Sequence, residues 1–112
     1  VIFVDDIDAV EIEQTAPPIR NHKSFPHGAN VNFVMVTGDD SISIRTFERG
    51  IEGETLSCGT GATACAAVAH KLGRVGDTVN VDTPGGPLII HLDDRITLEG
   101  PATTVFLGEI SF

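Results

Sequence analysis

The chain has 112 residues, a formal net charge of −9 and 41% hydrophobic residues, which fit one globular domain rather than a disordered chain. The negative charge argues against a nucleic-acid-binding protein and against attachment to an anionic membrane surface. No apolar run reaches the roughly 20 residues of a membrane span. The chain begins at Val1 without a basic leader and has two cysteines. We therefore expect a cytoplasmic protein, present as a fragment or a processed product.

The first part of the chain is predicted to combine strands with one short helix. Apolar runs, and runs in which apolar and polar residues alternate, predict three strands: Val1–Val4, Val31–Val36 and Ser41–Glu48. We expect the helix between Ala9 and His22, with Pro17 and Pro18 in its first turn, where proline is tolerated. Two further stretches are predicted to be loops: Phe25–Asn30 and Arg49–Cys58.

One clear helix is predicted in the second part, at Gly61–Leu72, with Gly73 suited to end it. Apolar residues surround this segment as far as His70, which indicates a buried rather than an amphipathic helix. Four strands are predicted after it: Thr78–Thr83, Leu88–Leu92, Arg95–Leu98 and Thr103–Phe112. Many strands and one buried helix predict the α+β class with a curled sheet. They favour a β-barrel wrapped around the helix.

The start of this helix carries the best candidate for chemistry, Cys58. The first N–H groups of a helix have no intrahelical partner, and the helix dipole adds positive charge there. Gly59 and Gly61 leave that backbone uncovered, which suits a carboxylate or a phosphate. The same field favours the thiolate form of Cys58. The alternative is a small buried hydrophobe, as many free cysteines are.

Cys65 is predicted to be a core residue, because alanines flank it within the helix. A disulfide with Cys58 is excluded, since seven helical residues rise roughly 10 Å, beyond the ~7 Å limit between cysteine Cα atoms. Two cysteines at this spacing are not a zinc signature either.

Glu48 and Arg49 stand side by side where the Ser41–Glu48 strand ends. Neighbours on a strand point to opposite faces, so these two are better placed to serve different groups than each other. The alternative is an ordinary surface ion pair, worth about 0–1 kcal/mol. For Asn30 and Asn32 too there is a purely structural alternative, in which they cap turns.

Three segments resemble successive blocks of the diaminopimelate epimerase family: Phe25–Phe33 (FPHGANVNF), Arg45–Gly50 (RTFERG) and Glu54–Ala62 (ETLSCGTGA). The resemblance runs over the whole chain. It implies that residues 1–112 are the C-terminal half of an enzyme with two pseudo-symmetric halves, each a β-barrel around a central helix, and that the N-terminal half is absent from this chain. It also implies epimerisation of LL-diaminopimelate to the meso isomer for lysine and cell-wall synthesis, without pyridoxal phosphate or a metal.

The resemblance assigns roles to individual residues. Cys58 would be one of two proton-transferring thiols. The other assignments concern the substrate: Gly59 and Thr60 would bind its reacting carboxylate, Glu48 its reacting ammonium, and Asn30 and Arg49 its distal end. The second thiol would belong to the missing half. We therefore expect the isolated chain to be inactive and to need the N-terminal half as its partner. The apolar face that this half would cover is exposed in the isolated chain, so we also expect that two copies can form a homodimer through it.

Two alternatives remain open. A racemase of the proline or hydroxyproline type would also use paired thiols, but its substrates lack a distal ammonium and carboxylate for Asn30 and Arg49. A non-catalytic amino-acid-binding domain would instead use Cys58 as a buried residue that caps the helix.

Overall fold

The computed structural model describes all residues, Val1–Phe112. Seven strands and two helices follow one another along the chain: β1 (Ile2–Phe3), α1 (Ile12–Arg20), β2 (Val31–Gly38), β3 (Ser41–Glu48), β4 (Gly53–Thr55), α2 (Gly59–Lys71), β5 (Thr78–Thr83), β6 (Gly86–His91) and β7 (Thr97–Glu99). The strands form one sheet in the order β1-β2-β3-β5-β6-β7, with β4 beside β3. The α+β class is confirmed. The pairing leaves β1 and β7 as edges, so the sheet of this chain is open.

The strand β3 is the centre of the sheet. It pairs with β2 along one edge, and on its other edge it pairs first with β5 and then with β4. The β2–β3 and β5–β6 pairs are antiparallel, whereas β1–β2 and β3–β5 are parallel. Because β4 lies beside the end of β3 and its last residue, Thr55, pairs with Thr46, the segment that follows β4 starts next to Thr46.

The two helices lie on opposite faces of this sheet, because side chains alternate between its faces along each strand. On one face, α2 packs against β2, β3, β5 and β6 in a cluster that includes Val34, Ile44, Val79, Val81 and Ile90. On the other face, α1 packs in a smaller cluster with Ile7, Val31, Phe33 and Phe47. The helix that carries Cys58 at its start therefore covers the larger of the two hydrophobic clusters.

The predicted second helix is confirmed, but α2 begins two residues earlier than expected, at Gly59. It ends at Lys71, one residue before the predicted end, with Leu72 as its C-cap. Gly73 has a φ of +72°, and the N–H groups of Gly73 and Arg74 donate to the carbonyls of His70 and Ala69. This is the pattern of a helix that ends on a left-handed glycine.

The prediction that α2 is buried on all sides is wrong. Ala62, Cys65, Ala66 and Ala69 face the sheet and are fully buried, whereas Val68 is exposed. The other side of the helix is covered only in part in this chain. Small apolar residues therefore line an open surface there instead of a core.

The short first helix is confirmed, but the position of its prolines is not. Pro17 and Pro18 lie in the second half of α1 rather than in its first turn. Proline there removes backbone hydrogen bonds to the carbonyls one turn earlier. Consistent with this cost, α1 ends soon afterwards, at Arg20.

One loop prediction and three strand predictions need correction. The expected loop 49–58 contains β4, β1 is only two residues long, and β7 spans Thr97–Glu99 instead of Arg95–Leu98. The expected strand Thr103–Phe112 does not form, and all its residues are exposed. A strand needs neighbouring backbone to satisfy its N–H and C=O groups, and this segment has none in the chain. At 9 and 13 residues, α1 and α2 are both shorter than a helix that spans a membrane.

Candidate active site

Cys58 immediately precedes the first turn of α2. Its backbone is extended, with φ −139° and ψ 106°, and its carbonyl accepts the N–H of Ala62 at 2.9 Å. These are the features of a residue at the N-cap position. The Cys58 side chain makes no capping hydrogen bond. Its Sγ lies instead 3.4 Å from the Thr60 hydroxyl.

The turn that follows Cys58 is open to solvent. Gly59 and Thr60 are exposed, and they begin a groove of about 520 Å³ between α2 and Leu98 of β7. Its lining is Gly59, Thr60, Thr63, Ala64, Ala67 and Leu98. The N–H groups of a first helical turn have no partner within the helix. Here they lie next to the thiol at one end of this groove.

The sheet beneath α2 changes from apolar to polar towards Cys58. Along the face that α2 covers, the pair Val34 and Ile44 is followed by Asn32 and Thr46 on the same two strands. The Thr46 hydroxyl donates to Asn32 Oδ1 at 2.7 Å. By the same alternation, the next side chain of β3 on this face is Glu48.

Glu48 is half-buried. The three salt bridges of the chain join other pairs. Its carboxylate is therefore not neutralised by a cation of this chain. Strand alternation directs it to the face on which α2 begins, so a ligand bound at that end of α2 would be on the same side of the sheet as Glu48.

Asn30 and Arg49 are brought together next to Glu48. Asn30 Oδ1 accepts the backbone N–H of Arg49 at 2.8 Å, and Arg49 Nη1 donates to the carbonyl of His27 at 2.9 Å. Both side chains thus hold the Phe25–Asn30 loop against the end of β3. Each still has further polar atoms that could bind a ligand.

An ion pair on the opposite face of the sheet fixes β4, which leads to Cys58. Arg45 Nε and Nη2 donate to the Glu54 carboxylate at 2.7 and 2.8 Å, and Arg45 Nη1 donates to the carbonyls of Ile7 and Val10. The hydrogen bonds from Arg45 hold the pKa of Glu54 below its ordinary value. The backbone N–H of Glu54 in turn donates to Glu13 Oε1 at 3.0 Å.

A second contact fixes the loop between β4 and Cys58. The carbonyl of Leu56 accepts the N–H of Gly85, in the β5–β6 turn, at 2.6 Å. A Cβ on Gly85 would lie only 2.9 Å from that oxygen. Glycine is therefore needed for the turn to approach the loop so closely.

Cys65 is a core residue, as predicted, with none of its surface exposed. Burial among apolar groups raises the pKa of its thiol to about 12. Both cysteines are free thiols. No three His, Cys, Asp or Glu side chains of the chain converge as metal ligands would.

The structure thus places Cys58, Gly59 and Thr60 together at one helix end, and Asn30, Glu48 and Arg49 together at the end of the β2–β3 hairpin. The sequence analysis did not identify Asn32 and Thr46 as a buried polar pair beneath the start of α2. A signal for them exists, since each is a polar residue at an inward-facing position of a strand whose other inward positions are apolar.

Comparisons with known proteins agree on one family. A sequence profile described as diaminopimelate epimerase matches residues 1–108. Curated proteins with that name are similar to nearly the whole chain: that of Methanothrix thermoacetophila is 54% identical over 99% of the chain, and that of Hydrogenobaculum sp. is 47% identical over 100% of it. The chain spans 39% and 43% of the length of these two relatives, or about two fifths.

A solved structure supports the fold. The phenazine biosynthesis protein of the PhzF family from Bacillus anthracis matches with a TM-score of 0.51 and 21% sequence identity, over 80% of this chain and 28% of its own. At this identity the likeness concerns the fold alone. The family profile matches almost the whole chain, and the two relatives are 54% and 47% identical to it. The chain therefore belongs to the diaminopimelate epimerase family.

Proposed function

We propose that this chain is the C-terminal half of an enzyme that epimerises LL-diaminopimelate to meso-diaminopimelate, an isomerase of lysine and cell-wall precursor synthesis. The observation that carries the proposal is the position of Cys58, a free and buried thiol at the N-cap of α2. It lies beside the N–H groups of Gly59 and Thr60, which have no partner within the helix. Membership of the diaminopimelate epimerase family supports the choice of substrate.

Inversion at a carbon centre requires that a proton leave one face and that another arrive on the opposite face. Two groups on opposite sides of the substrate can do this without a cofactor, one as a thiolate base and the other as a thiol acid. Cys58 is one of these groups. The Thr60 hydroxyl, 3.4 Å from its Sγ, is close enough to donate a weak hydrogen bond when Cys58 is a thiolate.

The substrate's α-proton is a weak acid, so the negative charge that spreads onto the α-carboxylate must be stabilised. The N–H groups of Gly59 and Thr60 do this, helped by the positive end of the α2 dipole. Glu48, which has no cation of its own, pairs with the α-ammonium. Asn30 and Arg49 bind the distal end of diaminopimelate with the polar atoms they do not use in holding the 25–30 loop.

The N-terminal half supplies the second thiol and closes the site. Two surfaces of this chain are available for it. One is the groove along α2, lined by Thr63, Ala64 and Ala67, and the other is the exposed apolar segment Val105–Leu107. The pseudo-symmetric pair of barrels, each around a central helix, is the architecture that we propose for the whole enzyme.

The test is isotope exchange by the intact enzyme, meaning this chain joined to its N-terminal half. In D2O we expect deuterium to enter the α-carbon of LL-diaminopimelate as the meso isomer forms, and we expect Cys58→Ala to abolish both. The 112-residue chain alone should show neither. Exchange by the isolated chain would contradict the two-base mechanism.

A folded intact enzyme that exchanges no diaminopimelate would contradict the proposed substrate. The same assay with proline then decides between the remaining candidates. Exchange would indicate a racemase of the proline type, and its absence would indicate a non-catalytic amino-acid-binding domain.

A further inference from the structure

Asn32 and Thr46 interrupt the apolar face of the sheet directly beneath the start of α2. They lie opposite each other on β2 and β3 and are only 5% and 3% exposed. Their side chains are joined by a hydrogen bond of 2.7 Å. Burying polar groups carries a desolvation cost even when they are paired. An apolar pair, such as the neighbouring Val34 and Ile44, would avoid that cost.

This pair contacts the first turn of α2. A Cβ added to Gly61 would lie 2.3 Å from Asn32 Oδ1 and 3.3 Å from Thr46 Oγ1. Real side chains do not approach so closely, so the helix backbone rests directly on the Asn32 amide with no space between them. Gly61 is the third residue of α2 and follows directly after Gly59 and Thr60, whose N–H groups are the proposed carboxylate site.

The same pair also contacts the strand that leads to Cys58. Thr46 lies opposite Thr55 of β4, and opposed residues project from the same face of a sheet. Thr55 Oγ1 is buried and has no hydrogen-bond partner. Thr55 is three residues before Cys58, whereas Gly61 is three residues after it. The buried pair therefore lies next to the segments on both sides of Cys58.

We propose that Asn32 and Thr46 are positioning residues, which fix the first turn of α2 so that the Cys58 thiol and the Gly59 and Thr60 N–H groups keep one orientation. The identity of the ligand in this inference rests on the proposed function. The positioning does not, because it follows from contacts within the chain. Since a misplacement of about 1 Å at a reacting centre can cost about 100-fold in rate, direct backbone contact with a buried amide gives a precision that apolar packing lacks.

A double-mutant cycle in the intact enzyme tests the contact. Gly61→Ala should lower kcat at least about 100-fold with a smaller change in KM, because its new Cβ must push α2 off Asn32. Asn32→Ala removes the obstructing amide. The double variant should therefore recover to within about 10-fold of the wild type. If the two single effects multiply in the double variant, Asn32 does not position the helix and the proposal is wrong.

Three threonine variants test the hydrogen bond. Thr46→Val should lower kcat about 10-fold, as expected for the loss of one buried hydrogen bond, and Thr46→Ser should restore it. Thr37→Val is the matched control, because the Thr37 hydroxyl bonds to Ser41 at 2.9 Å at the far end of β2. It should leave kcat unchanged. Wild-type kcat in a folded Thr46→Val enzyme would overturn the proposal.

Alkylation of Cys58 by iodoacetamide separates this inference from the proposed function, because it needs no substrate. The rate should change in Gly61→Ala and return towards the wild-type rate in the double variant. If this pattern appears in an enzyme that does not turn over diaminopimelate, the proposed function fails and the positioning role stands. If the alkylation rate is the same in all variants, the positioning role fails.

Discussion

Two buried thiols at different positions of one helix have different surroundings. Cys65 is in the middle of α2, between the helix and the sheet, with none of its surface exposed and with a pKa raised by burial to about 12. Cys58 is only 7% exposed, but it is at the N-cap, beside a hydroxyl and two exposed residues of the first turn. One helix therefore provides a dry place at its centre and a polar, electropositive place at its start.

The two residues are both cysteines, so their difference comes from their positions on the helix. The position decides whether a cysteine thiol can ionise and react. A thiolate is the reactive form, and it needs hydrogen-bond donors or positive charge nearby. Only the start of α2 offers these. The following predictions test whether the two positions differ as much as their surroundings imply.

The largest expected effect is on catalysis. Cys58→Ala should reduce α-proton exchange by the intact enzyme at least about 1000-fold, because the proposed mechanism then loses one of its two proton-transferring groups. Cys65→Ala removes a thiol of the same size and should keep kcat within a few-fold. Exchange of deuterium into diaminopimelate measures both. Equal losses in the two variants would mean that the helix as a whole, and not the position of Cys58, supports the reaction.

The next effect is on thiol reactivity. In the folded chain at pH 7, iodoacetamide should label Cys58 at least about 100-fold faster than Cys65, since only a minute fraction of a thiol with a pKa near 12 is ionised at that pH. Mass spectrometry of the labelled peptides gives the two rates. In urea the rates should become similar. Comparable labelling of both thiols in the folded chain would contradict the comparison.

Serine substitutions should affect stability in opposite ways at the two positions. Cys65→Ser buries a hydroxyl among apolar side chains and should lower the free energy of unfolding by about 1–3 kcal/mol. Cys58→Ser places a good capping residue at an N-cap and should leave stability unchanged or raise it by up to about 1 kcal/mol. Urea unfolding of the two variants measures the difference. A similar loss in both would show that Cys58 is held as a core residue.

The smallest expected effect concerns the ion pair between Arg45 and Glu54, which fixes the strand that leads to Cys58. The pKa of Glu54 is lowered in the folded chain, so its carboxylate contributes stability above about pH 4.3, the ordinary glutamate value, and this contribution is lost as the pH falls through the lower folded pKa. Glu54→Gln should cost up to about 1 kcal/mol at pH 7 and nothing at pH 2.

Its matched control is Glu109→Gln, which changes an exposed glutamate in the C-terminal segment and should have no effect at either pH. Because Glu54 fixes β4, Glu54→Gln should also change the alkylation rate of Cys58 without changing that of Cys65. An equal change at both thiols would indicate a general loosening of the fold.

The elements that the sequence predicted best are those in which apolar and polar residues alternate regularly. β5 was predicted to its last residue because its side chains alternate strictly between exposed and buried positions, and β3 was predicted equally well. The three residues of β4 are too few to show any period. The segment Thr103–Phe112 has the apolar content of a strand, yet backbone pairing requires a neighbour that no local pattern can supply.

The candidate site was predicted in part. The distinction between Cys58 and Cys65 follows from local sequence, since one precedes a glycine-flanked turn and the other lies among alanines. The Asn32–Thr46 pair does not, because its two members are 14 residues apart and meet only when β2 and β3 are in register. For Asn32 the sequence alone therefore offers only the alternative of a residue that caps a turn.

The contact between Asn32 and Gly61 has a consequence for how this sequence can change over time. While position 32 carries asparagine, every residue with a Cβ at position 61 collides with its amide. A smaller residue at position 32 would remove this barrier. The order of substitution is therefore constrained, and proteins of this family that carry a side chain at the position of Gly61 should have lost the asparagine first.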